Sequence, residues 1–301
     1  MIELILTLLF SFLAAINAVL LVLFFMPEKK YGRFCPPLSV IIPAHNEERR
    51  IGAALEYYSR YFKELKRADI LDYEILVVIN NTRDKTESIV QSFQKKNKNI
   101  FYLNLLKGGK GFAVIEGFKD ALKRDNDIIG FVDADMATLP DEYYKLIRSI
   151  NGYDGVIASR YIKGAVVRPR NTLPRILASR LYNLVIRTLL LLPFKDTQCG
   201  AKIFSRRAIQ DSVYSLGMTQ LAFDIELIYI MRKRGWRIRE VPTVWSNKQY
   251  STINFWNSGP WMTLAVVRLR LLNSPFKWTV RLYDKVLGRI RKINIIKNKK
   301  G

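Results

Sequence analysis

Apolar and polar positions change rhythm several times along this chain, and each rhythm predicts a different element. From Leu4 to Met26 no residue is charged, and Asn17 is the one strongly polar interruption. As a helix, that run would span roughly 34 Å, about the thickness of a bilayer core. No basic residues precede it, it is long for a signal peptide, and no small-residue cleavage site follows, so it reads as an uncleaved anchor. Apart from Glu28 the next flank is basic, with Lys29, Lys30 and Arg33. The positive-inside bias then places the rest of the chain in the cytoplasm.

Beyond Pro36 and Pro37, short apolar runs alternate with amphipathic stretches. Leu38 to Ile42 predicts a strand ended by Pro43. Helical spacing covers 47–67, with Ile51, Leu55, Tyr58, Phe62 and Leu65 on one face. Glu74 to Ile79 predicts a second strand, and 84–96 a helix with Asp84 as its N-cap. Ile100 to Leu103, a helix from Gly111 to Lys123, and a strand from Ile128 to Val132 follow. This alternation predicts an α/β fold with a mostly parallel sheet flanked by helices. Later come a strand over 153–160, a helix over 175–192, a helix from Phe223 to Arg234 and a strand from Ile238 to Trp245. After Ser251, aromatic and aliphatic residues interleave with Arg268, Arg270, Lys277 and Arg281, which predicts amphipathic helices lying in a membrane interface. The basic stretch from Arg289 to Lys300 reads either as a solvated end or as a binder of anionic lipid. The expected division is an anchor with its flank over 1–35, a catalytic domain over 36–250, and a membrane-interface segment and tail over 251–301.

Charge sharpens this picture. Lys and Arg number 49 against 26 Asp and Glu, a formal net charge of +23. Such an excess points to an anionic partner: nucleic acid, acidic lipid headgroups or a phosphorylated substrate. Cys35 and Cys199 form no metal or disulfide pattern and read as free thiols of a reducing compartment.

The strongest chemical signal is Phe131-Val132-Asp133-Ala134-Asp135. Carboxylates at i and i+2 beyond a strand can reach one cation, and two hard oxygen ligands leave Mg²⁺ or Mn²⁺ room for water and phosphate oxygens. Alone, Asp-x-Asp is far more often a solvated turn. Here it falls at a strand end, as do Asn46-Glu47 and Asn80-Asn81, where ligands of parallel sheets bind.

In order, Pro43-Ala44-His45-Asn46-Glu47, Asp133-Ala134-Asp135, Asp196-Thr197-Gln198-Cys199-Gly200 and Ala222-Phe223-Asp224-Ile225-Glu226 resemble the family-2 inverting glycosyltransferases. That family has an A-type nucleotide-sugar fold. The resemblance is narrower to its polyprenyl-phosphate branch and to the dolichyl-phosphate glucose synthase subgroup, through Asp133 to Thr138, Asp196 to Gly200 and Trp261 to Leu272. It implies that Pro43, Asn46 and Glu47 line the nucleotide pocket; Asn80 and Asn81 stand at the position that meets the base or ribose and can still hydrogen-bond it. It implies that Asp133 and Asp135 hold the donor diphosphate through Mg²⁺ or Mn²⁺, and that Lys110, in Gly108-Gly109-Lys110-Gly111, offsets phosphate charge. Asp224 falls where the family places a carboxylate near the acceptor, although Asp224 and Glu226 also read as an ordinary helix N-terminus. Arg160, Arg175 and Ser179 match positions that meet the acceptor phosphate, with Lys163, Arg168 and Arg170 on a loop expected to be mobile. The rival reading has these arginines meeting lipid headgroups only.

The implied reaction transfers a hexose, glucose from UDP-glucose, to dolichyl or polyprenyl phosphate with inversion, through catalytic Asp135, Asp224 and Arg160. The alternative donor is GDP-mannose. Ala137, where mannosyl relatives often carry Gln, leans toward glucose. Asn80-Asn81 stands where many members carry an aspartate pair, so the nucleotide base stays open. His45 replaces the usual tyrosine and reads as a spacer or stacking residue. A polysaccharide synthase would need a channel and a Gln-x-x-Arg-Trp motif, and the sequence has neither. A non-enzymatic basic membrane or nucleic-acid binder fits the charge but not the strand-end motifs. The expected partners are therefore a nucleotide sugar, a lipid phosphate and the bilayer, without nucleic acid.

Overall fold

The computed structural model describes residues 37–169, 173–217, 222–246 and 255–285, without the side chains of 173–175 and 255–261. The expected anchor over Leu4 to Met26, its basic flank and the tail from Arg289 lie outside the described residues. Among the described residues no helix is long and apolar enough to cross a membrane.

The chain alternates strand and helix as its hydrophobic rhythm predicts. β1 (Leu38–Ala44), α1 (Ile51–Arg67), β2 (Tyr73–Asn80), α2 (Thr86–Lys96), β3 (Ile100–Leu105), α3 (Lys110–Ala121) and β4 (Ile128–Val132) form the first half. α4 (Pro140–Arg148), β5 (Gly155–Ser159), β6 (Val166–Arg168) and α5 (Leu173–Leu190) come next. β7 (Ala201–Ser205), α6 (Arg206–Ser212), α7 (Phe223–Lys233), β8 (Ile238–Pro242), β9 (Val244–Ser246) and α8 (Phe255–Leu272) complete it.

The main sheet has seven strands in the order β3-β2-β1-β4-β7-β5-β8. All neighbours run parallel except β7, which is antiparallel to both β4 and β5. Strand side chains alternate between two cores, as the pleat requires. Val40, Ile42, Ile75 and Val77 pack beneath α1, α2 and α4. Ile41, Leu76 and Val78 pack with α3, α5, α6, α7 and α8 on the other face.

Four local expectations change. The α2 helix begins at Thr86, and Asp84 still serves its first turn: its carboxylate accepts the Thr86 amide at 3.0 Å and the Thr86 hydroxyl at 2.6 Å. The single strand expected from Ile238 to Trp245 is two, because Thr243 separates β8, in the main sheet, from β9, which pairs with β6. That pairing also orders the loop carrying Lys163 and Arg168, since Arg168 lies opposite Ser246. Finally, α8 is not only a surface helix: Val266 and Leu269 are buried in the second core.

The first sheet half sets the site. Beyond Ile41 and Phe131 the β1–β4 ladder stops, while β1 continues to pair with β2 as far as Ala44. The chain reverses its direction of strand addition here, and the carboxyl ends part into a crevice.

Candidate active site

Three strands deliver polar residues to that crevice, and each delivers them through a turn held in the left-handed region. Asn46 after β1 has φ 54°, Asn81 after β2 has φ 46°, and Met136 after β4 has φ 59°. Asparagine tolerates this conformation, but for methionine it stores strain, which folded proteins tend to keep at functional sites. The Met136 turn is held from several sides. The Asp135 carboxylate accepts the Ala137 amide at 2.9 Å, the Ser246 amide donates to the Ala137 carbonyl at 2.8 Å, and the Tyr58 hydroxyl donates to the Thr138 carbonyl at 2.9 Å.

Asp133 is fixed by its neighbour strand. Because β7 runs antiparallel, it starts at the edge where β4 ends, with Ala201 opposite Val132. Gly200 then lies against the Asp133 side chain: a Cβ at position 200 would stand 2.0 Å from Asp133 Oδ2. The Asp133 amide also donates to the Gly200 carbonyl at 3.1 Å.

One lysine meets this carboxylate, and a second meets its neighbour Asp224. Lys110 Nζ lies 2.6 Å from Asp133 Oδ1 and 3.8 Å from Asp224 Oδ2. Lys110 opens α3 after Gly109, whose φ of 127° only glycine adopts without strain. Asp224, at the start of α7, turns its other oxygen to Lys202 Nζ at 2.6 Å, and Lys202 has no solvent exposure. Lys202 donates also to the Cys199 carbonyl and sits 5.2 Å from the centre of the Phe131 ring. Burial by itself would lower the Lys110 pKa, but the carboxylates of Asp133 and Asp224 outweigh it and hold the ammonium above the usual lysine range. Burial and the charge of Asp133 raise the pKa of Asp135.

On the β1 side, Glu47 is clasped by Arg50 through bonds of 2.6 and 2.7 Å, yet burial leaves its pKa raised. Pro43 lies in β1 opposite Val78. The Asn46 carboxamide oxygen accepts the Arg83 amide at 2.9 Å. His45 Nδ1 lies 2.8 Å from the Asn80 carbonyl, so it carries the proton, and Nε2 is left to accept from Asn46 at 3.4 Å. His45 thus braces the turns after β1 and β2. Asn80 is buried; its amide nitrogen donates to the Gly109 carbonyl at 3.0 Å, while its oxygen has no hydrogen-bond partner among the described residues. Asn81 is exposed and packs against Gly108.

A second cluster follows β5. The Arg160 guanidinium grips the fully buried Asp196 at 2.7 and 2.9 Å. Burial would raise the Asp196 pKa, but Arg160 overrides it and holds the carboxyl below the ordinary range. Glu240 of β8 accepts the Asp196 amide at 2.7 Å and fixes that turn. Arg160 also stacks 5.3 Å from the Tyr161 and Trp245 ring centres, and the Tyr161 hydroxyl meets Ser179 of α5 at 2.5 Å. Arg160 and Ser179 are therefore brought together through Tyr161. The Arg175 side chain lies outside the described residues.

The sequence profile described as glycosyl transferase family 2 matches residues 39–213, more than half of the chain. The chain belongs to glycosyl transferase family 2. Among relatives, it is 30% identical over 244 residues to a dolichyl-phosphate beta-glucosyltransferase of Dictyostelium discoideum, covering 77% of this chain and 73% of that one. The enzyme of the same name from Drosophila melanogaster is 32% identical over 238 residues, covering 73% and 70%. The one from Homo sapiens is 28% identical over 257 residues, covering 80% and 77%. Among solved structures, glucosyl-3-phosphoglycerate synthase of Mycobacterium tuberculosis with Mn²⁺ and UDP superposes with a TM-score of 0.56 at 18% identity, covering 78% of this chain and 79% of that one. A mannosyltransferase of Pyrobaculum calidifontis with GDP-mannose and Mn²⁺ gives 0.53 at 17%, covering 89% and 79%. These structures share the α/β fold.

As a family-2 glycosyltransferase, the chain has a donor set that fits a divalent ion bound with its substrate. Among the described residues no three acidic, His or Cys side chains gather into a metal cluster. An ion at Asp133 and Asp135 would therefore take its remaining ligands from water and substrate oxygens, as Mg²⁺ and Mn²⁺ do at phosphate sites. The Lys110 ammonium 2.6 Å from Asp133 shows that a positive charge is accommodated at this carboxylate.

Sequence reading gave no role to Lys202, Arg50, Asp196, Gly200, Tyr161 or Trp245. Lys202 did carry a signal, a lysine inside the apolar run Ala201-Lys202-Ile203-Phe204. The run is too short to declare a strand by its period, so its charge has no direction in the sequence alone.

Proposed function

We propose that this family-2 glycosyltransferase moves glucose from UDP-glucose to dolichyl or polyprenyl phosphate, with inversion, at the cytoplasmic face of a membrane. What carries the reading is one sheet edge that holds a carboxylate pair with its lysine and, beside β5, the Arg160-Tyr161-Ser179 cluster. The names of the relatives supply the sugar and the lipid phosphate, and the nucleotide is part of the proposal. A lipid monophosphate is mostly dianionic at neutral pH, since its second pKa is about 6. It therefore needs no general base. One phosphate oxygen attacks the anomeric carbon from the face opposite the leaving group, and the nucleotide diphosphate departs with the bonding electrons.

The residues of this chain supply position and charge. Asp133 and Asp135 would hold Mg²⁺ or Mn²⁺, which supplies charge stabilisation for the departing diphosphate. Lys110 adds a further positive charge there. Pro43, Asn46, Glu47, Asn80 and Asn81 would line the nucleotide side. Arg160, Arg175 and Ser179 would hold the acceptor phosphate, and Asp224 acts on the site through Lys110.

A membrane-side acceptor also agrees with the outer face of α5, where Leu177, Leu181 and Leu184 recur at helical spacing and are exposed. Phe276, Trp278 and Leu282 are exposed beyond α8.

The test is a panel of labelled nucleotide sugars given to membranes carrying the protein and polyprenyl phosphate. Label should enter the lipid extract from UDP-glucose. It should vanish in Asp135→Asn while the variant still folds. Label from GDP-mannose instead would keep the reaction and replace the donor. No lipid label from any nucleotide sugar would overturn the reading.

A further inference from the structure

Lys110 stands between two carboxylates, and it does not share them equally. It is 2.6 Å from Asp133 and 3.8 Å from Asp224. Asp224 is held in turn by the buried Lys202 at 2.6 Å. The result is a line of alternating charges, Lys202, Asp224, Lys110 and Asp133, running from the core to the crevice. We propose that Lys202 and Asp224 are positioning residues that hold Lys110 as a movable cation. In the nucleotide-free protein Lys110 occupies Asp133; when a divalent ion binds with the donor, Lys110 leaves Asp133 for the donor's diphosphate. The inference rests on the donor-site reading above.

The members of the line differ in freedom. Lys202 is fixed by full burial, by the Cys199 carbonyl and by the Phe131 ring. Asp224 is nearly buried, and its Oδ1 is committed to Lys202. Asp133 shares with Asp224 the shortest side chain of the line, and its carboxylate lies in space that a Cβ at position 200 would fill. Lys110 has the same stem as Lys202 but a side chain 28% exposed and a glycine pair before it, so its stem is free to move. A divalent ion at Asp133 would repel a neighbouring ammonium. The carboxylate oxygen that can keep that ammonium in the crevice is Asp224 Oδ2.

Lys202 sets the balance. Were Asp224 a lone buried carboxylate, it would draw Lys110 fully off Asp133, because an uncompensated buried charge is costly. With Lys202 in place, part of that demand is already met, and Lys110 rests on Asp133. Both Asp224 oxygens then face ammonium groups. That makes Asp224 a counter-charge, in keeping with an acceptor that needs no base.

The test is Mn²⁺ titration of the full-length protein in detergent, followed by the electron paramagnetic resonance of free Mn²⁺, without nucleotide or sugar. Lys110→Met removes the competitor and should bind Mn²⁺ about tenfold more tightly. The double variant Lys202→Met/Asp224→Asn leaves the net charge unchanged, so a general field effect predicts no shift. The proposal predicts weaker Mn²⁺ binding by about tenfold, because Lys110 is then committed to Asp133. It also predicts that this weakening vanishes in a Lys110→Met background, since the pair acts only through Lys110. A weakening that persists in that background, or no tightening in Lys110→Met, overturns the proposal.

Circular dichroism checks that the double variant folds. Should it not, Lys110→Met decides alone: its Mn²⁺ affinity must rise while its affinity for UDP at saturating Mn²⁺ falls, and changes in the same direction overturn the proposal. Wild-type protein that binds no Mn²⁺, with or without UDP, would overturn the metal reading together with this inference. Binding with the wrong signs would overturn the inference only.

Discussion

Gly200 sits beside Asp133 with no room for a single added carbon, and this makes its role testable. A Cβ there would meet Asp133 Oδ2 at 2.0 Å and Cγ at 2.4 Å, both atoms of a side chain that can rotate away. Gly200→Ala should therefore leave the thermal midpoint nearly unchanged and turn the carboxylate out of line. Misplacing a catalytic group by about 1 Å costs on the order of 10²-fold in rate. Turnover and a thermal melt on the same preparation check this; a melt lowered as steeply as the activity would assign Gly200 to the fold instead. Asp133 and Asp135 stand out in the sequence by their spacing at a strand end, a local fact, whereas Lys110 and Asp224 stand out only through the family resemblance. Lys202 and the contact with Gly200 do not stand out, because each depends on a strand partner roughly 70 residues away in sequence, a non-local pairing that periodicity does not encode.

Among the elements, β9 matters beyond its size. Its Ser246 amide donates to Ala137 at 2.8 Å, and Trp245 bridges Thr138, so this short strand straps down the turn that carries Asp135. Ser246→Pro removes that donor. A lost hydrogen bond is worth about 1 kcal/mol, or some fivefold in an equilibrium. Mn²⁺ affinity should fall by about that factor while cooperative unfolding of the main sheet persists; an unchanged affinity would show that the turn holds itself. β9 was hidden in the sequence because its apolar run continues from β8 with only Thr243 between them. β7 and α4 are hidden for a related reason: each is short, and α4 mixes Asp141, Glu142, Lys145 and Arg148 among its apolar positions. The first four strands and the helices between them were legible, since each repeats its period long enough to declare itself.

For the whole molecule, a formal charge of +23 and an exposed leucine stripe on α5 set the terms on which it meets an acceptor. Leu177, Leu181 and Leu184 are 67%, 63% and 55% exposed, so replacing them removes little from the core. Immersing a leucine side chain contributes roughly 1.5–3 kcal/mol. The triple change Leu177→Ser, Leu181→Ser and Leu184→Ser should raise KM for polyprenyl phosphate in bilayers by about tenfold or more. KM for a short-chain phosphate in detergent should stay as it was, and equal effects on both acceptors would place the stripe in the active site itself. By itself the sequence determined the α/β alternation, the strand-end position of the carboxylate pair and the family, because short-range periodicity and motif order carry all three. Only the tertiary structure decided what the carboxylates touch. Inserting β7 antiparallel between β4 and β5 brings Gly200 under Asp133 and Lys202 under Asp224. Strand order is fixed by packing between distant segments, and no local pattern in the chain records it.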